Sequence, residues 1–138
     1  MMGKKITLVL PLPPKELSPN ASSPWAPTAK WFRIRARKEY RKRILDECFA
    51  QIPMEVRVSW DGWYFHRCQM TETYRFADKR KRDVRNLFAA FKAGEDGLVD
   101  ACVLPGDDDS VLEHGPPRIE RVKTKAEEGV VVEIEEIA

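Results

Sequence analysis

A chain of 138 residues, 43% hydrophobic and 33% charged, has the size and composition of one globular domain with a real core, here taken as residues 1–138, and is not a disordered polymer. The net charge of +2 hides segregation: bases crowd residues 30–43 and 75–85, while acids crowd 107–109 and 127–136, and such unevenness bears on partners more than the sum does. Cys48, Cys68 and Cys102 lack metal-binding spacing and fit a reducing compartment, no apolar run reaches membrane length, and "MMGKKITLVLPLPPKEL" is broken too early by prolines for a signal peptide, so a cytoplasmic chain without membrane attachment is expected.

In chain order, "KKITLVL" (4–10) predicts a short strand stopped by the prolines after it. "ELSPNASSPWAP" (16–27) predicts a turn-rich loop, with Asn20 placed where loops carry side chains into sites. From Pro27 to about Phe49, Phe32, Ala36, Tyr40, Ile44 and Cys48 recur at every fourth position among lysines and arginines, which predicts a helix. "MEVRVSWDGWYFHRC" (54–68) predicts a strand with a turn at Asp61-Gly62, and "TETYRFADKRKR" (71–82) a basic loop or strand end. A second helix is expected from Asp83 to about Ala101, and "PRIERVKT" and "VVVEIEEI" predict two strands joined around "KAEEG". The order β, α, β, α, β, β gives an α/β or α+β domain with a mixed sheet flanked by two main helices.

At 100° per residue the second helix puts Leu87, Phe91 and Leu98 on one side, with Gly94 between them, and Asn86, Lys92, Asp96 and Asp100 on the other. The bland account is a solvated face: Asp83 is an N-cap, Lys92 pairs with Asp96 and Asp100 across turns, and Asp107-Asp108-Asp109 is an exposed turn. The chemical account rests on the combination. Mg2+ takes oxygen ligands, adjacent aspartates repel unless a cation is near, and basic side chains bind phosphate, so carboxylates beside a cationic surface suit phosphodiester hydrolysis.

These residues resemble the RusA family of Holliday junction resolvases, in particular its longer, phage-like members. The family motif is Asp-x-Asp-Asn, then a lysine and an aspartate on the following helix, then an Asp-Asp pair. "RDVRN" carries Asp83 and Asn86, "KAGEDGLVDACVL" carries Lys92 and Asp96, and "GDDDSV" carries the pair. "LPLPPKELSPNASSPW" and "GPPRIERVK" are similar to the family's proline-bounded first strand with its Asn-bearing loop and to its closing strands. The resemblance implies a homodimer that nicks four-way DNA junctions with Mg2+, or with Mn2+, in a bacterial cell or phage-infected host. It implies metal ligands at Asp83 and at Asp108 or Asp109, catalytic roles for Asp83, Lys92, Asp96 and Asp108, and support from Asn20 and Asn86. The chain departs from the motif in two ways: Arg85 stands at the second aspartate, and Lys92 lies six residues after Asn86 where shorter members have it three after. Arg85 beside Asp83 weakens cation binding, and Asp78 is a candidate substitute.

Lys30, Arg33, Arg37 and Arg41 on the first helix, with Arg80, Arg82 and Arg85, are the expected DNA contacts, flanked by Trp25 and Trp31. The alternative for the same helix is a solvated basic face. His66 and His114 are isolated and expected to be structural or surface residues, and Trp60 and Trp63 to be core. Two other functions stay open. One is a branched-DNA-binding protein that has lost cleavage through Arg85, and the other is an RNA-binding protein with no catalysis; neither needs a small-molecule cofactor.

Overall fold

The computed structural model describes residues 4–18, 29–58 and 62–137. It is an α+β domain built on one mixed five-stranded sheet. β1 (Lys5–Leu10) runs antiparallel to β5 (Gly129–Glu136), with Lys5 opposite Glu135 and Leu10 opposite Val130. β5 in turn runs antiparallel to β2 (Cys68–Phe76), the central strand. The far edge of β2 is shared by two short parallel strands set end to end, β3 (Leu112–His114) beside residues 68–70 and β4 (Arg118–Arg121) beside 73–76. Gly115-Pro116-Pro117 separates them because proline cannot donate to the ladder. At Gly115 a Cβ would come within 2.5 Å of Thr71 Oγ1, so the crossing also requires glycine.

Among the described residues four α-helices accompany the sheet: α1 (Ala29–Gln51), the short α2 (Met54–Val58), α3 (Val84–Ala90) and α4 (Lys92–Asp100). The apolar row of β2 packs with Leu8, Leu10, Val130, Val132 and Ile134 from its neighbours and with Tyr40, Ile44 and Cys48 of α1. Phe91 is the keystone: it is buried, and Tyr40 and Tyr74 both meet it edge-on, at 6.3 and 6.5 Å between ring centroids. α4 lies so close to α1 that a Cβ at Gly97 would stand 2.7 Å from the Arg41 carbonyl oxygen and 2.8 Å from Ile44 Cβ. At the sheet edge, the Gln51 amide accepts from Val9 N at 2.9 Å and donates to the Val9 carbonyl at 2.6 Å.

Four expectations need correction. Residues 54–58 are helical, not a strand, because the Pro53 carbonyl accepts from both Val56 N and Arg57 N (3.1 Å each) and so starts a turn. The strand lies later, in the stretch expected to be a loop or strand end, where burial alternates along Cys68, Met70, Glu72, Tyr74 and Phe76. The second helix is two helices, broken at Phe91, whose φ of −78° and ψ of −2° tighten the turn. Finally, Trp63 is exposed instead of core, and of the α1 stripe only Tyr40, Ile44 and Cys48 are buried, while Phe32 is exposed where the helix runs past the sheet. Gly62, of the turn expected at Asp61-Gly62, lies in a bend at φ of 96°; Pro27, Trp60 and Asp61 lie outside the described residues, as do Asn20 and Trp25.

Candidate functional site

The break at Phe91 exposes one lysine at the start of α4. Lys92 Nζ donates to Asp107 in the acidic loop and lies 3.6 Å from Glu95 Oε2 and 3.8 Å from Asp96 Oδ1. Helical spacing explains two of these neighbours, since i+3 and i+4 share a face, and the loop after α4 folds back to supply the third. Partial burial pulls the Lys92 pKa down, but the Asp107 hydrogen bond and the charges of Glu95, Asp107 and Asp96 outweigh it and leave it raised. Asp107 is reciprocally lowered, chiefly by its hydrogen bond to Lys92. Lys92 therefore stays charged, with its side chain about half exposed.

Directly beneath lies a second group. Glu95 is 6% exposed, and its Oε1 sits 2.5 Å from His114 Nε2. Glu72, 1% exposed, has Oε1 accepting from Tyr74 OH at 2.5 Å. Each of Glu72, Glu95 and His114 offers a ligand atom within 4.8 Å of the other two, so the three could hold a metal ion. The register makes this trio: His114 pairs with Met70, Glu72 is two residues further along the same face of β2, and α4 delivers Glu95 from above. Burial, first of all, pushes Glu72 up to about 8; the Tyr74 hydroxyl works against this, and the nearby Glu95 adds to it.

Sequence reasoning missed the trio, although two of its members leave a signal once their elements are known. Glu95 follows Phe91 by four and precedes Leu98 by three, which sets an acid on the apolar helix face, and Glu72 interrupts an alternating apolar row. His114, expected to be isolated, is instead paired with Glu95 and meets Phe88 edge-on at 5.1 Å; the short strand that carries it gave no pattern to read.

The expected site residues divide between the start of α3 and the start of α4. Lys92, Asp96 and the acidic loop come together at the start of α4. Asp83 caps α3, accepting from Arg85 N at 2.9 Å, and stands nine residues before Lys92, across the break at Phe91. Asp83 and Asn86 line a cleft of about 530 Å³ together with Lys15, Arg80, Lys81 and Arg82. Asp108 accepts from the Ser110 hydroxyl and, at 2.8 Å, from Ser110 N, and these bonds lower its pKa. Asp109 is exposed. Asp83, Asp108 and Asp109 belong to no trio of ligand atoms within 4.8 Å among the described residues. Asp78, the candidate substitute, is held by Arg82 at 2.6 Å, a hydrogen bond that drives its carboxyl far below the usual range.

No family model matches the chain, and no curated protein does.

The expected DNA contacts also divide. Lys30, Arg37, Arg80 and Arg85 are exposed. Arg33 donates to the Ser18 carbonyl at 3.0 Å, Arg41 forks onto Asp100 at 2.5 and 2.7 Å, and Arg82 binds Asp78 while covering the Phe76 ring. Asp100 thus pairs across to α1 and not with Lys92. Trp31 and Ile34 are exposed among the α1 bases. Among the described residues, no helix is long and apolar enough to cross a membrane.

Proposed function

We propose that the chain is a divalent-metal-dependent endonuclease of branched DNA, RusA-like, acting as a homodimer in the cytoplasm of a bacterial or phage-infected cell. The observation that carries this reading is Lys92, a charged amino group held among Glu95, Asp96 and Asp107 at the protein surface. A phosphodiester needs cationic stabilisation where charge builds on its oxygens, and a fixed ammonium supplies it without reorganisation. Asp107 and Asp96 aim that ammonium and keep it protonated. The exposed bases of α1 and of residues 80–85 bind the flanking phosphates and set the register of the duplex arms. Asp96 and Asp107 are oxygen donors of the kind Mg2+ takes, with Mn2+ as the alternative, and a cation on them would activate water and offset phosphate charge. A two-fold protein presents two identical sites to the two strands that a four-way junction offers for symmetric nicking.

One observation favours the alternative, a branched-DNA-binding protein with impaired cleavage. Arg85, exposed at the start of α3, takes the place of the motif's second aspartate and puts a cation next to Asp83.

The test is nicking of an end-labelled four-way junction with Mg2+ and with Mn2+, for the wild type and for Lys92→Gln and Asp107→Asn. Symmetric nicks by the wild type, reduced about 100-fold or more in Lys92→Gln while junction binding persists, support the proposal. Binding without nicking by the wild type supports the alternative, and cleavage undiminished in Lys92→Gln removes the site.

A further inference from the structure

We propose that Glu72, Glu95 and His114 form a half-buried binding site for a first-row transition cation such as Zn2+ or Mn2+, which clips the edge strand β3 to β2 and α4. This site is separate from the acids that would carry Mg2+ at Lys92, and it stands whether or not the chain cuts DNA.

Three observations converge on it. First, the donor set is two carboxylates and one imidazole. Nitrogen beside oxygen favours zinc- or manganese-type ions over Mg2+, which prefers oxygen alone. Second, Glu72 is 1% exposed, accepts one hydrogen bond, from Tyr74, and forms no ion pair among the described residues. A second buried carboxylate, Glu95, stands against it, and two acids so placed repel unless a proton or a cation lies between them. Lys92 is 3.6 Å from the other oxygen of Glu95, on the outer side, so its charge does not lie between the two acids. Third, the geometry is within reach. Ligand atoms about 2.1 Å from a tetrahedral ion lie roughly 3.4 Å apart, so atoms already within 4.8 Å close on an ion by side-chain rotation, with His114 and Glu95 parting by about 1 Å. His114 is a quarter exposed and gives the route from solvent, and a fourth ligand position remains for water.

The fold explains what such a clip would do. β3 is three residues long, ends at the Gly115-Pro116-Pro117 break and holds the end of the acidic loop. An ion shared by β2, β3 and α4 would fix the loop that carries Asp107 relative to Lys92. Because the ligands come from three elements, the unfolded chain offers no preformed site, and binding adds to folding stability.

The experiment uses the full chain stripped with chelator, titrated calorimetrically with Zn2+, with Mn2+ and with Mg2+, and melted with and without each ion. The wild type, Glu72→Gln, Glu95→Gln, His114→Gln and, as controls at exposed residues, Asp46→Asn and His66→Gln are compared, each first shown to be folded by circular dichroism. The expected result is one Zn2+ per chain, bound at least about 100-fold more tightly than Mg2+, with a rise in melting temperature. Each of the three ligand variants loses about tenfold or more of the affinity, and the controls keep it. Absence of stoichiometric Zn2+ or Mn2+ binding by the folded wild type overturns the proposal. So does binding that survives in both His114→Gln and Glu95→Gln, which would place the ion elsewhere, and this holds whatever the junction assay shows. If Glu72→Gln does not fold, the partly exposed His114→Gln decides the matter alone.

Discussion

Glu72→Gln isolates what a buried carboxyl without a cationic partner does to this fold. Glu72 is faced by Tyr74 from its own strand, by Tyr40 of α1, by Glu95 of α4 and by His114 of β3, and it titrates at about 8 in the folded chain against 4.5 in a free one. Its folded pKa is raised, so between those values the native state holds a proton that the unfolded state has released. The contribution of Glu72 is complete below about pH 4.5 and is lost progressively as the pH rises to about 8. At about 1.36 kcal/mol per pH unit the ceiling of that loss is about 5 kcal/mol, and local relaxation reduces it to a few kcal/mol. Glutamine keeps the volume and can still accept from Tyr74 OH, but it has no proton to lose. Urea unfolding with chelator present, between about pH 5 and about pH 8, should show the wild type losing a few kcal/mol relative to Glu72→Gln, with the variant the more stable at the alkaline end. Parallel pH profiles for the two proteins would refute the reasoning.

Gly97→Val should destabilise by about 1–3 kcal/mol, because its side chain meets the Arg41 carbonyl and Ile44 where α4 touches α1; thermal melting reads it, and an unchanged midpoint would count against this close packing. Removing the Arg41–Asp100 pair by Asp100→Ala should cost at most about 1 kcal/mol, since both side chains are substantially exposed, and the cost should shrink in high salt. Arg37 and Lys38 are exposed and form no ion pair among the described residues, so under the proposed function replacing both with alanine should reduce the salt slope of junction binding by roughly 2; an unchanged slope would count against α1 as the proposed DNA surface. Burial pushes the Cys48 thiol up to about 12 and the Cys68 thiol up to about 11, so a thiol reagent at neutral pH should find only the half-buried Cys102 in the native chain and all three cysteines in denaturant. Rapid labelling of all three in the native protein would contradict that burial.

The periodic parts of the fold were legible. Tyr40, Ile44 and Cys48 at every fourth position gave α1, and the valine-rich C-terminal stretch and "KITLVL" gave the strands β5 and β1, while their antiparallel pairing came only from the structure. What failed was governed by neighbours instead of period. β2 shows glutamine, threonines and arginine between its buried residues and is read as a strand only once β5 and β3 flank it, while β3 is too short to carry any pattern. The helix broke at Phe91 because its ring is claimed by Tyr40 and Tyr74, a tertiary demand with no local signature. The same limit applies to the site. Lys92 with Asp96 follows from spacing, and the loop acids near them follow from order along the chain. Glu72 and His114 lie 42 residues apart in sequence and meet only through the strand register.

Gln51 gives the outer edge of β1 an unusual finish. A carboxamide offers one acceptor and one donor at nearly the spacing of a peptide unit, so at Val9 the last residue of α1 stands in for a single residue of a sixth strand. An open edge is a template on which other chains can zip, and here the template is blocked midway along a strand of six residues. Sheet-to-sheet growth along β1 must first evict Gln51 and leave it without those two bonds. A continuous ten-stranded sheet built from two five-stranded ones through their β1 edges would therefore sacrifice these bonds in both copies. The amide acts as a chain terminator for β-polymerisation, in a protein whose exposed Val9 would otherwise invite it.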